Sequence, residues 1–227
     1  MKDVDLALER LAKMSESAPA GTETPLGGVA ASLEGGDSGQ AIQTPQNPNT
    51  GQIERIKEGG FPRRHIAALD GMKGPSLEKA QELEDLVKGK DCLIVLCGDR
   101  GPGKTQMATY WAQFFKYSAY FKAHDLVRSI RGEFSQDDKT RKASERAYAK
   151  ATKRDYLVID EFAELAGSDY ERRTITNIID HRYDNLKATV IVTNAPKAKL
   201  QDEVGSSIIS RCSQIGGVID CNWASYR

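Results

Sequence analysis

The sequence predicts an α/β fold with a five-stranded parallel sheet flanked by helices. Short apolar runs, each long enough for one buried strand, alternate with segments of helical periodicity. A glycine-rich sequence, residues 98–105, follows the first apolar run and precedes a helical pattern. Two acids, Asp160 and Glu161, end a later run. Apolar strands separated by helices are typical of a parallel sheet that is covered on both faces.

Most of the predicted strands are runs rich in Val, Ile and Leu, and the predicted helices have apolar residues every three or four positions. Strands are predicted at residues 92–97, 118–122, 156–160, 188–193 and 218–221. Helices are predicted from a cap at Ser76 to Val87, from Lys104 to about Lys116, and at about 124–134, 139–152 and 171–184. We assign the aromatic residues behind the glycine-rich sequence to the core: Tyr110, Trp111, Phe114, Phe115, Tyr117 and Tyr120.

The first part of the chain has a different composition from the rest. Residues 15–52 lack aromatic residues and are rich in Gly, Pro, Ser, Thr, Gln and Asn, which predicts a flexible linker in a disordered N-terminal tail. Residues 1–14 are predicted to contain a short amphipathic helix, compatible with either a frayed terminus or a docking element for a partner protein. Its apolar face consists of Val4, Leu8 and Leu11. Residues 53–227 are predicted to form the folded domain.

The charges of the chain balance only on average. The 227 residues include 32 Lys+Arg and 32 Asp+Glu, and this zero total argues against a protein that binds polyanions over its whole surface. Residues 1–50 nevertheless carry a net charge of −4 and the remainder +4. The longest apolar run, residues 92–97, is too short to cross a membrane, and no secretory signal is visible. The four cysteines form no C-x-x-C pair, so we expect a cytoplasmic protein without a disulfide framework or a zinc ribbon.

Residues 98–105 read GDRGPGKT and match the phosphate-binding loop pattern G-x-x-x-x-G-K-[ST]. Glycines let backbone N–H groups turn toward phosphate oxygens, and the following helix N-terminus adds partial positive charge. Lys104 is predicted to reach the β- and γ-phosphates of ATP, and the Thr105 hydroxyl to bind Mg²⁺. The residues predicted to contact the nucleotide are Gly98, Asp99, Arg100, Gly101, Pro102, Gly103, Lys104, Thr105 and Gln106.

Polar residues at the ends of two later strands complete the predicted site of a P-loop NTPase. Asp160 is predicted to hold Mg²⁺ through water, because this ion keeps most of its hydration shell. Glu161 is predicted to orient and deprotonate the attacking water, a role that argues against a small-molecule kinase. Asn194 could contact the γ-phosphate or that water, but it is equally compatible with a turn before Pro196.

These motifs together resemble those of the AAA+ ATPases, and within them the DnaC-type helicase loaders and the IstB-type transposition helper ATPases. The resemblance covers about residues 60–227. It rests on residues 98–105, 157–161, 190–194 and 207–211, on Arg172-Arg173 and the helix that follows, and on the closing sequence Asn222-Trp223-Ala224-Ser225-Tyr226-Arg227. Many AAA+ proteins continue into a helical lid domain; the sequence stops at Arg227, so we expect no lid.

The resemblance implies roles that the residues alone do not assign. It implies that Asn194 is sensor 1 and that Arg211 is an arginine finger acting on the ATP of a neighbouring subunit. Without the resemblance, Arg211 is interpreted as part of a surface ion pair. The resemblance also implies that adenine lies against residues 61–65, and that hydrolysis is weak in a monomer and completed by a neighbour in a nucleotide-dependent oligomer.

A basic stripe raises the question of nucleic-acid binding. Lys142, Arg146 and Lys150 recur every four residues on one helical face, a pattern compatible with a solvated surface. The resemblance to loaders that bind single-stranded DNA favours contact with a DNA backbone. We therefore predict an ATP-dependent helicase loader that delivers a replicative helicase. The alternatives are a transposition helper with the same core and a nucleotide-gated adaptor with little turnover.

Overall fold

A computed structural model of the protein describes residues 48–165 and 169–224. The described residues form the predicted five-stranded parallel sheet, with helices on both faces. The strands are β1 (Leu93–Cys97), β2 (Ser118–Lys122), β3 (Tyr156–Asp160), β4 (Ala188–Val192) and β5 (Gly217–Asp220). Their order across the sheet is β2-β3-β4-β1-β5, and every neighbouring pair is parallel.

Ten α-helices are present in the described part of the chain. They are α1 (Thr50–Gly59), α2 (Arg63–Ala67), α3 (Pro75–Glu82), α4 (Glu84–Lys88), α5 (Lys104–Trp111), α6 (Ala123–Ile130), α7 (Asp138–Lys153), α8 (Asp169–Asp184), α9 (Leu200–Glu203) and α10 (Ser206–Ile215). Short 3-10 helices follow α5, α6, β3 and β4. Among these elements, none combines the length and apolar composition of a bilayer-spanning helix.

Strand β1 lies inside the sheet and is buried along its whole length. Alternate side chains point to opposite faces, so Val95 packs in one core layer and Leu96 in the other. The first layer is covered by α6, α8 and α10, and the second by α1, α3 and α5. Because all strands are parallel, the segments after β1, β3 and β4 emerge at one edge of the sheet, where open α/β sheets bind ligands.

Two predicted helices have different boundaries in the structure. The predicted cap at Ser76 is wrong: the helix begins at Pro75, and Ser76 is a buried residue of its first turn. Proline is favoured at the first helical position because its fixed φ suits a helix and the missing N–H has no partner there. Helix α5 ends at Trp111 rather than near Lys116, because Phe115 turns inward and stacks on Tyr156 with ring centroids 4.7 Å apart.

Helix α1 begins inside the segment predicted as a linker. The side chain of Asn49 accepts a hydrogen bond from the backbone N of Gln52, and the Gln52 side chain accepts one from the backbone N of Asn49. This capping box satisfies two backbone donors and starts the helix at Thr50. The amphipathic helix predicted within residues 1–14 and the linker up to residue 47 lie outside the described residues, as do the last three residues of the closing sequence.

Arg182 of α8 is fully buried. Its guanidinium donates to the carbonyls of Ala151, Arg154 and Ala188 at 2.6–2.9 Å, and its Nε donates to the Thr189 hydroxyl at 2.9 Å. Burial lowers the pKa of Arg182 to about 9, so the side chain stays charged at neutral pH. The arginine thereby ties the end of α7 to the start of β4.

Candidate phosphate-binding site

The loop between β1 and α5 has the backbone shape of a phosphate cradle. Gly98, Gly101 and Gly103 have φ values of 107°, 112° and 94°, a region that favours glycine. A Cβ at Gly98 would lie 2.8 Å from the carbonyl oxygen of Cys221, so no larger residue fits there. The loop leads directly into α5, whose free N–H groups and dipole favour an anion.

Lys104 begins α5, and its side chain is folded over the loop. Its Nζ donates to the carbonyl oxygen of Gly98 at 2.7 Å and to that of Asp99. The residue is only 5% exposed, and burial lowers the pKa of the ammonium from its usual value. A buried ammonium held only by backbone carbonyls gains from a phosphate beside it, because the anion offsets the cost of desolvation.

Asp160 ends β3 and meets the loop. Its Oδ2 accepts a hydrogen bond from the Thr105 hydroxyl at 2.9 Å and another from the Tyr120 hydroxyl at 2.7 Å. Its Oδ1 accepts from the backbone N of Glu161 at 2.7 Å. The residue is 6% exposed. The structure thus brings together the two residues predicted to hold Mg²⁺, although they lie 55 positions apart in the chain.

Glu161 follows β3 in the left-handed backbone conformation, with φ 56° and ψ 40°. Its carboxylate pairs with the Lys122 ammonium at 2.8 Å, and hydrogen bonding to Glu161 raises the pKa of Lys122. An ion pair this exposed adds little to stability. Its effect is to hold the carboxylate of Glu161 near the edge of the cleft.

The loop and the acids line a cleft of about 1000 Å³. Its floor includes Lys104, Thr105, Asp160 and Glu161, and Asn194 lies on the wall after β4. The backbone beside Asn194 is fixed because the carbonyl oxygen of Ala195 accepts a hydrogen bond from the backbone N of Gly98 at 3.0 Å. The other wall comes from the segment between α1 and α3 and includes Pro62, Arg64, His65, Ala68 and Met72.

The residues of the cleft fit a nucleoside triphosphate with a divalent cation. The loop offers backbone donors and one buried ammonium, which suit a chain of phosphates. The Thr105 hydroxyl and the Asp160 carboxylate are hard oxygen ligands of the kind that Mg²⁺ takes. The wall combines apolar and hydrogen-bonding groups, and it includes Pro62, Arg64 and His65 from the segment 61–65 that the resemblance assigns to adenine.

Comparison with known families agrees with this geometry. Residues 78–227, about two thirds of the chain, match the family described as "IstB-like ATP binding protein". The chain belongs to this family. The match begins within α3, so the wall formed by residues 62–73 precedes the part that defines the IstB-like family.

Curated relatives of this IstB-like protein include two replicative helicase loaders named DnaC. The loader of Buchnera aphidicola subsp. Baizongia pistaciae is 26% identical over 140 residues, covering 59% of this chain and 56% of the relative. The loader of Escherichia coli strain K12 is 23% identical over 157 residues, covering 67% of this chain and 63% of the relative. The chain therefore spans less than two thirds of either loader.

Several solved structures share this fold. A crystal structure of the DnaC helicase loader gives a TM-score of 0.57 at 23% identity, covering 70% of this chain and 99% of that one. A crystal structure of DnaI gives a TM-score of 0.59 at 17% identity, covering 76% of this chain and 100% of that one. The replication initiator DnaA bound to AMPPCP and single-stranded DNA gives 0.55 at 16% identity, covering 70% and 50%. At these identities the likeness establishes the AAA+ fold.

Arg211 lies on α10 and does not line the cleft of its own chain. Its guanidinium is 3.3 Å from the Asp180 carboxylate, contacts the Ser207 hydroxyl, and lies 5.5 Å from the centroid of the Tyr183 ring. The arginine is thus held against α8 with 27% of its side chain exposed. The structure does not bring it together with the phosphate-binding loop.

The basic stripe on α7 is less uniform than the sequence suggests. Lys142 pairs with Asp138 at 2.6 Å, whereas Arg146 is exposed. Lys150 turns inward: its Nζ donates to the carbonyl oxygen of Glu58 at 3.2 Å, and burial lowers its pKa. Of the three predicted DNA contacts, Lys142 and Arg146 are exposed and Lys150 is partly buried.

Sequence reasoning missed several residues of the cleft. Tyr120 was assigned to the core but lines the cleft, where burial and the nearby Asp160 raise the pKa of its hydroxyl and keep it a proton donor. Lys122 was given no role. Both precede α6 at the end of β2, and the parallel pairing of Lys122 with Asp160 brings them to the site. Only the order of the strands, which the sequence does not state, reveals this proximity.

Two further contacts support the loop from outside. The side chain of Gln106 lines the cleft and is bound to its wall: its Nε2 donates to the carbonyl oxygen of His65 at 2.9 Å, and its Oε1 lies 2.8 Å from His65 Nδ1. The indole N–H of Trp223 donates to the carbonyl oxygen of Pro102 at 2.7 Å. Trp223, one residue of the closing sequence that marks the resemblance, therefore supports the loop.

Proposed function

We propose that this protein is an ATP-dependent helicase loader. It would bind ATP with Mg²⁺, hydrolyse ATP to ADP and phosphate, and deliver a replicative helicase to single-stranded DNA. The observation that carries the proposal is the meeting of the phosphate-binding loop with Asp160 and Glu161 in an IstB-like protein. The similarity to two DnaC loaders supports the choice of a helicase as partner.

The chemistry assigned to the cleft uses few residues. The loop amides and Lys104 bind the phosphates, and Thr105 and Asp160 would hold Mg²⁺, which supplies positive charge beside the β- and γ-phosphates. Glu161 accepts a proton from the attacking water while the water oxygen bonds to the γ-phosphorus and ADP departs. Asn194 on the opposite wall would orient this water or the γ-phosphate.

We infer that Arg211 acts on the nucleotide of a neighbouring subunit. Its position outside the lining of its own cleft agrees with this inference, because a finger supplied in trans need not reach the nucleotide bound by its own chain. A guanidinium that stabilises charge on the transferred phosphoryl group contributes a factor of about 10³–10⁵ in rate. Hydrolysis would then be slow in a monomer and fast in a nucleotide-dependent oligomer.

Single-stranded DNA is the proposed second partner. The exposed guanidinium of Arg146 supports it, and Lys142 can exchange Asp138 for a phosphate because their ion pair is exposed. Lys150 lies inward in the isolated chain and would contribute less. Docking of the helicase is proposed for residues 1–14, by analogy with short helices that bind grooves of partner proteins.

A transposition helper is the second candidate function. The family description, an IstB-like ATP binding protein, favours it, and the same cleft would serve both functions. The two candidates differ in what the ATPase remodels: a helicase in one case and duplex DNA in the other. A nucleotide-gated adaptor with little turnover would not need a carboxylate held at the cleft. The ion pair between Lys122 and Glu161 therefore favours an ATPase over an adaptor.

The proposal is tested with Lys104→Ala. We expect its affinity for a fluorescent ATP analogue to fall at least about tenfold, because a charge-assisted contact to phosphate is worth about 1.5–3 kcal/mol. The variant should also fail to promote unwinding of a forked DNA by the replicative helicase. Lys57→Ala removes an exposed lysine of α1 that pairs with Glu54, and it serves as the control.

Two results would count against the proposal. Unchanged nucleotide affinity in Lys104→Ala would refute the assignment of the loop. Normal phosphate release by the wild type without any effect on helicase loading would favour the transposition helper, which an assay with duplex DNA and a transposase would then support.

A further inference from the structure

We propose that Tyr120 is a positioning residue that holds Asp160 in place for the divalent cation and couples this acid to the wall around Phe61. The proposal rests on the proposed function of the cleft in binding nucleotide with Mg²⁺. It concerns a residue of β2 that neither the phosphate-binding loop nor the acidic strand end contains.

The hydrogen bonds of Asp160 show why it needs a third partner. Its Oδ2 is shared between the hydroxyls of Thr105 and Tyr120, at 2.9 and 2.7 Å. If Thr105 serves as a ligand of the cation, its hydroxyl oxygen binds the ion through a lone pair and keeps its proton, so the direction of this donor then depends on the ion. The hydroxyl of Tyr120 and the backbone N of Glu161 are the donors that fix the carboxylate plane independently of the cation.

The ring of Tyr120 is held from the other side by the wall of the cleft. Its centroid is 5.5 Å from that of Phe61, with the planes tilted by 46°, and Phe61 is 4% exposed. The preceding Gly60 has φ 90°, and a Cβ there would lie 3.6 Å from the carbonyl oxygen of Tyr120. Phe61 leads directly into Pro62 and Arg64, which line the cleft.

Tyr120 therefore joins two parts of the site. Asp160 lies within the region matched by the IstB-like family, whereas Phe61 lies before it. A movement of the wall on binding a nucleoside would reach the acid through one rigid ring, because tyrosine has only two side-chain torsions. The cation and the nucleoside part of the ligand should consequently bind with positive coupling.

The test measures how nucleotide affinity depends on the cation. In the full chain, Tyr120→Phe keeps the ring and removes the hydroxyl. We expect the affinity for a fluorescent ATP analogue to fall about tenfold in the presence of Mg²⁺, because the variant loses one hydrogen bond to a charged group. In EDTA, the affinity should stay unchanged. Phe61→Leu should cause a smaller loss in the same direction.

The matched control is Tyr156→Phe. The Tyr156 hydroxyl is also buried, but it donates to the carbonyl oxygen of Ala108 at 2.8 Å and contacts no residue of the cleft floor. We expect this variant to lower thermal stability and to keep the wild-type ratio of affinities in Mg²⁺ and EDTA.

Three outcomes would overturn the assignment. An unchanged ratio in Tyr120→Phe would show that Asp160 needs no tyrosine. An equal loss in Mg²⁺ and EDTA would show a structural effect only, and a wild-type response in Phe61→Leu would remove the coupling to the wall. Failure of the wild type to bind nucleotide under either condition would instead refute the proposed function, and this assignment with it.

Discussion

Glu161 is the residue of the cleft whose backbone is most constrained. Among the residues that line the cleft, it alone is a non-glycine residue with positive φ. For such a residue the left-handed conformation costs about 1–2 kcal/mol, so the fold must hold it there. Two hydrogen bonds provide that restraint: the backbone N of Glu161 donates to the Asp160 carboxylate, and the backbone N of Glu164 donates to the carbonyl oxygen of Glu161.

We expect Glu161→Gln to separate binding from hydrolysis. The amide keeps the size of the side chain but cannot accept a proton from water, so steady-state phosphate release should fall by about 10²–10⁴. Nucleotide affinity should remain near that of the wild type.

The control is Glu54→Gln. Glu54 lies outside the cleft and also pairs with a lysine, Lys57, at an N–O distance of 2.6 Å. If Glu161→Gln released phosphate at the wild-type rate, Glu161 would not be the base.

Single residues also show which parts of the site the sequence does and does not predict. Asp160 and Glu161 were predictable because they end a run of buried strand residues after a phosphate-binding loop. Tyr120 was not, because it lies among six aromatic residues at helical and strand spacings, and only the pairing of β2 with β3 brings it to Asp160. The buried position of Arg182 was equally invisible, since an arginine in a polar helix is normally exposed.

At the scale of elements, the phosphate-binding loop depends on its neighbours. The backbone N of Gly98 donates to the carbonyl oxygen of Ala195 after β4, and its Cα faces the carbonyl oxygen of Cys221 after β5. The loop is therefore held by the ends of the two strands on either side of β1. Its shape follows from the whole sheet edge rather than from its glycines alone.

We predict that Gly98→Ala disrupts the loop. The φ of 107° and the 2.8 Å approach of the Cys221 carbonyl should together cost about 2 kcal/mol or more. That corresponds to a fall of about 4–8 °C in Tm, measured by thermal denaturation, and nucleotide affinity should fall with it.

The matched control for this change is Gly51→Ala in α1, where the nearest atom to the added Cβ is 3.4 Å away. Alanine there favours the helix by up to about 1 kcal/mol. Equal Tm values for the two variants would contradict the prediction.

Elements differ in how well the sequence predicts them. The five strands were located to within one residue. The three inner strands, β1, β3 and β4, are short apolar runs that are buried along their whole length, whereas the edge strands β2 and β5 are only partly buried. Helix α1 was not predicted, because its first turn is polar and adjoins a segment of linker composition. The sequence signal for this helix was the capping box of Asn49 and Gln52, which marks a helix N-terminus irrespective of hydrophobicity.

At the scale of the whole molecule, the cleft and Arg211 belong to different surfaces. The cleft opens at the carboxyl edge of the sheet, whereas Arg211 lies on α10 against α8. A head-to-tail arrangement of identical subunits can bring two such different surfaces together. The same arrangement would place one active site at each contact between neighbours.

We predict that two inactive variants restore each other. Arg211→Ala keeps a complete cleft, and Glu161→Gln keeps the arginine, so each should hydrolyse ATP slowly alone. In an equimolar mixture, about a quarter of the contacts would combine an intact cleft with an intact arginine, and phosphate release should rise to about that fraction of the wild-type rate.

No rise on mixing would contradict action between subunits. A mixture of Arg211→Ala with Lys104→Ala offers a second, independent combination of one intact cleft and one intact arginine. Wild-type turnover by Arg211→Ala alone would exclude the arginine from catalysis.

The contact between Trp223 and Pro102 gives the molecule an optical reporter. The chain has two tryptophans, and Trp111 is fully buried with its indole N–H on the carbonyl of Ala80. Trp223 is half-buried, with its indole on the backbone of the phosphate-binding loop. Because indole emission responds to hydrogen bonding and to water, a protein with Trp111→Phe should signal rearrangement of the loop through fluorescence, without any attached dye.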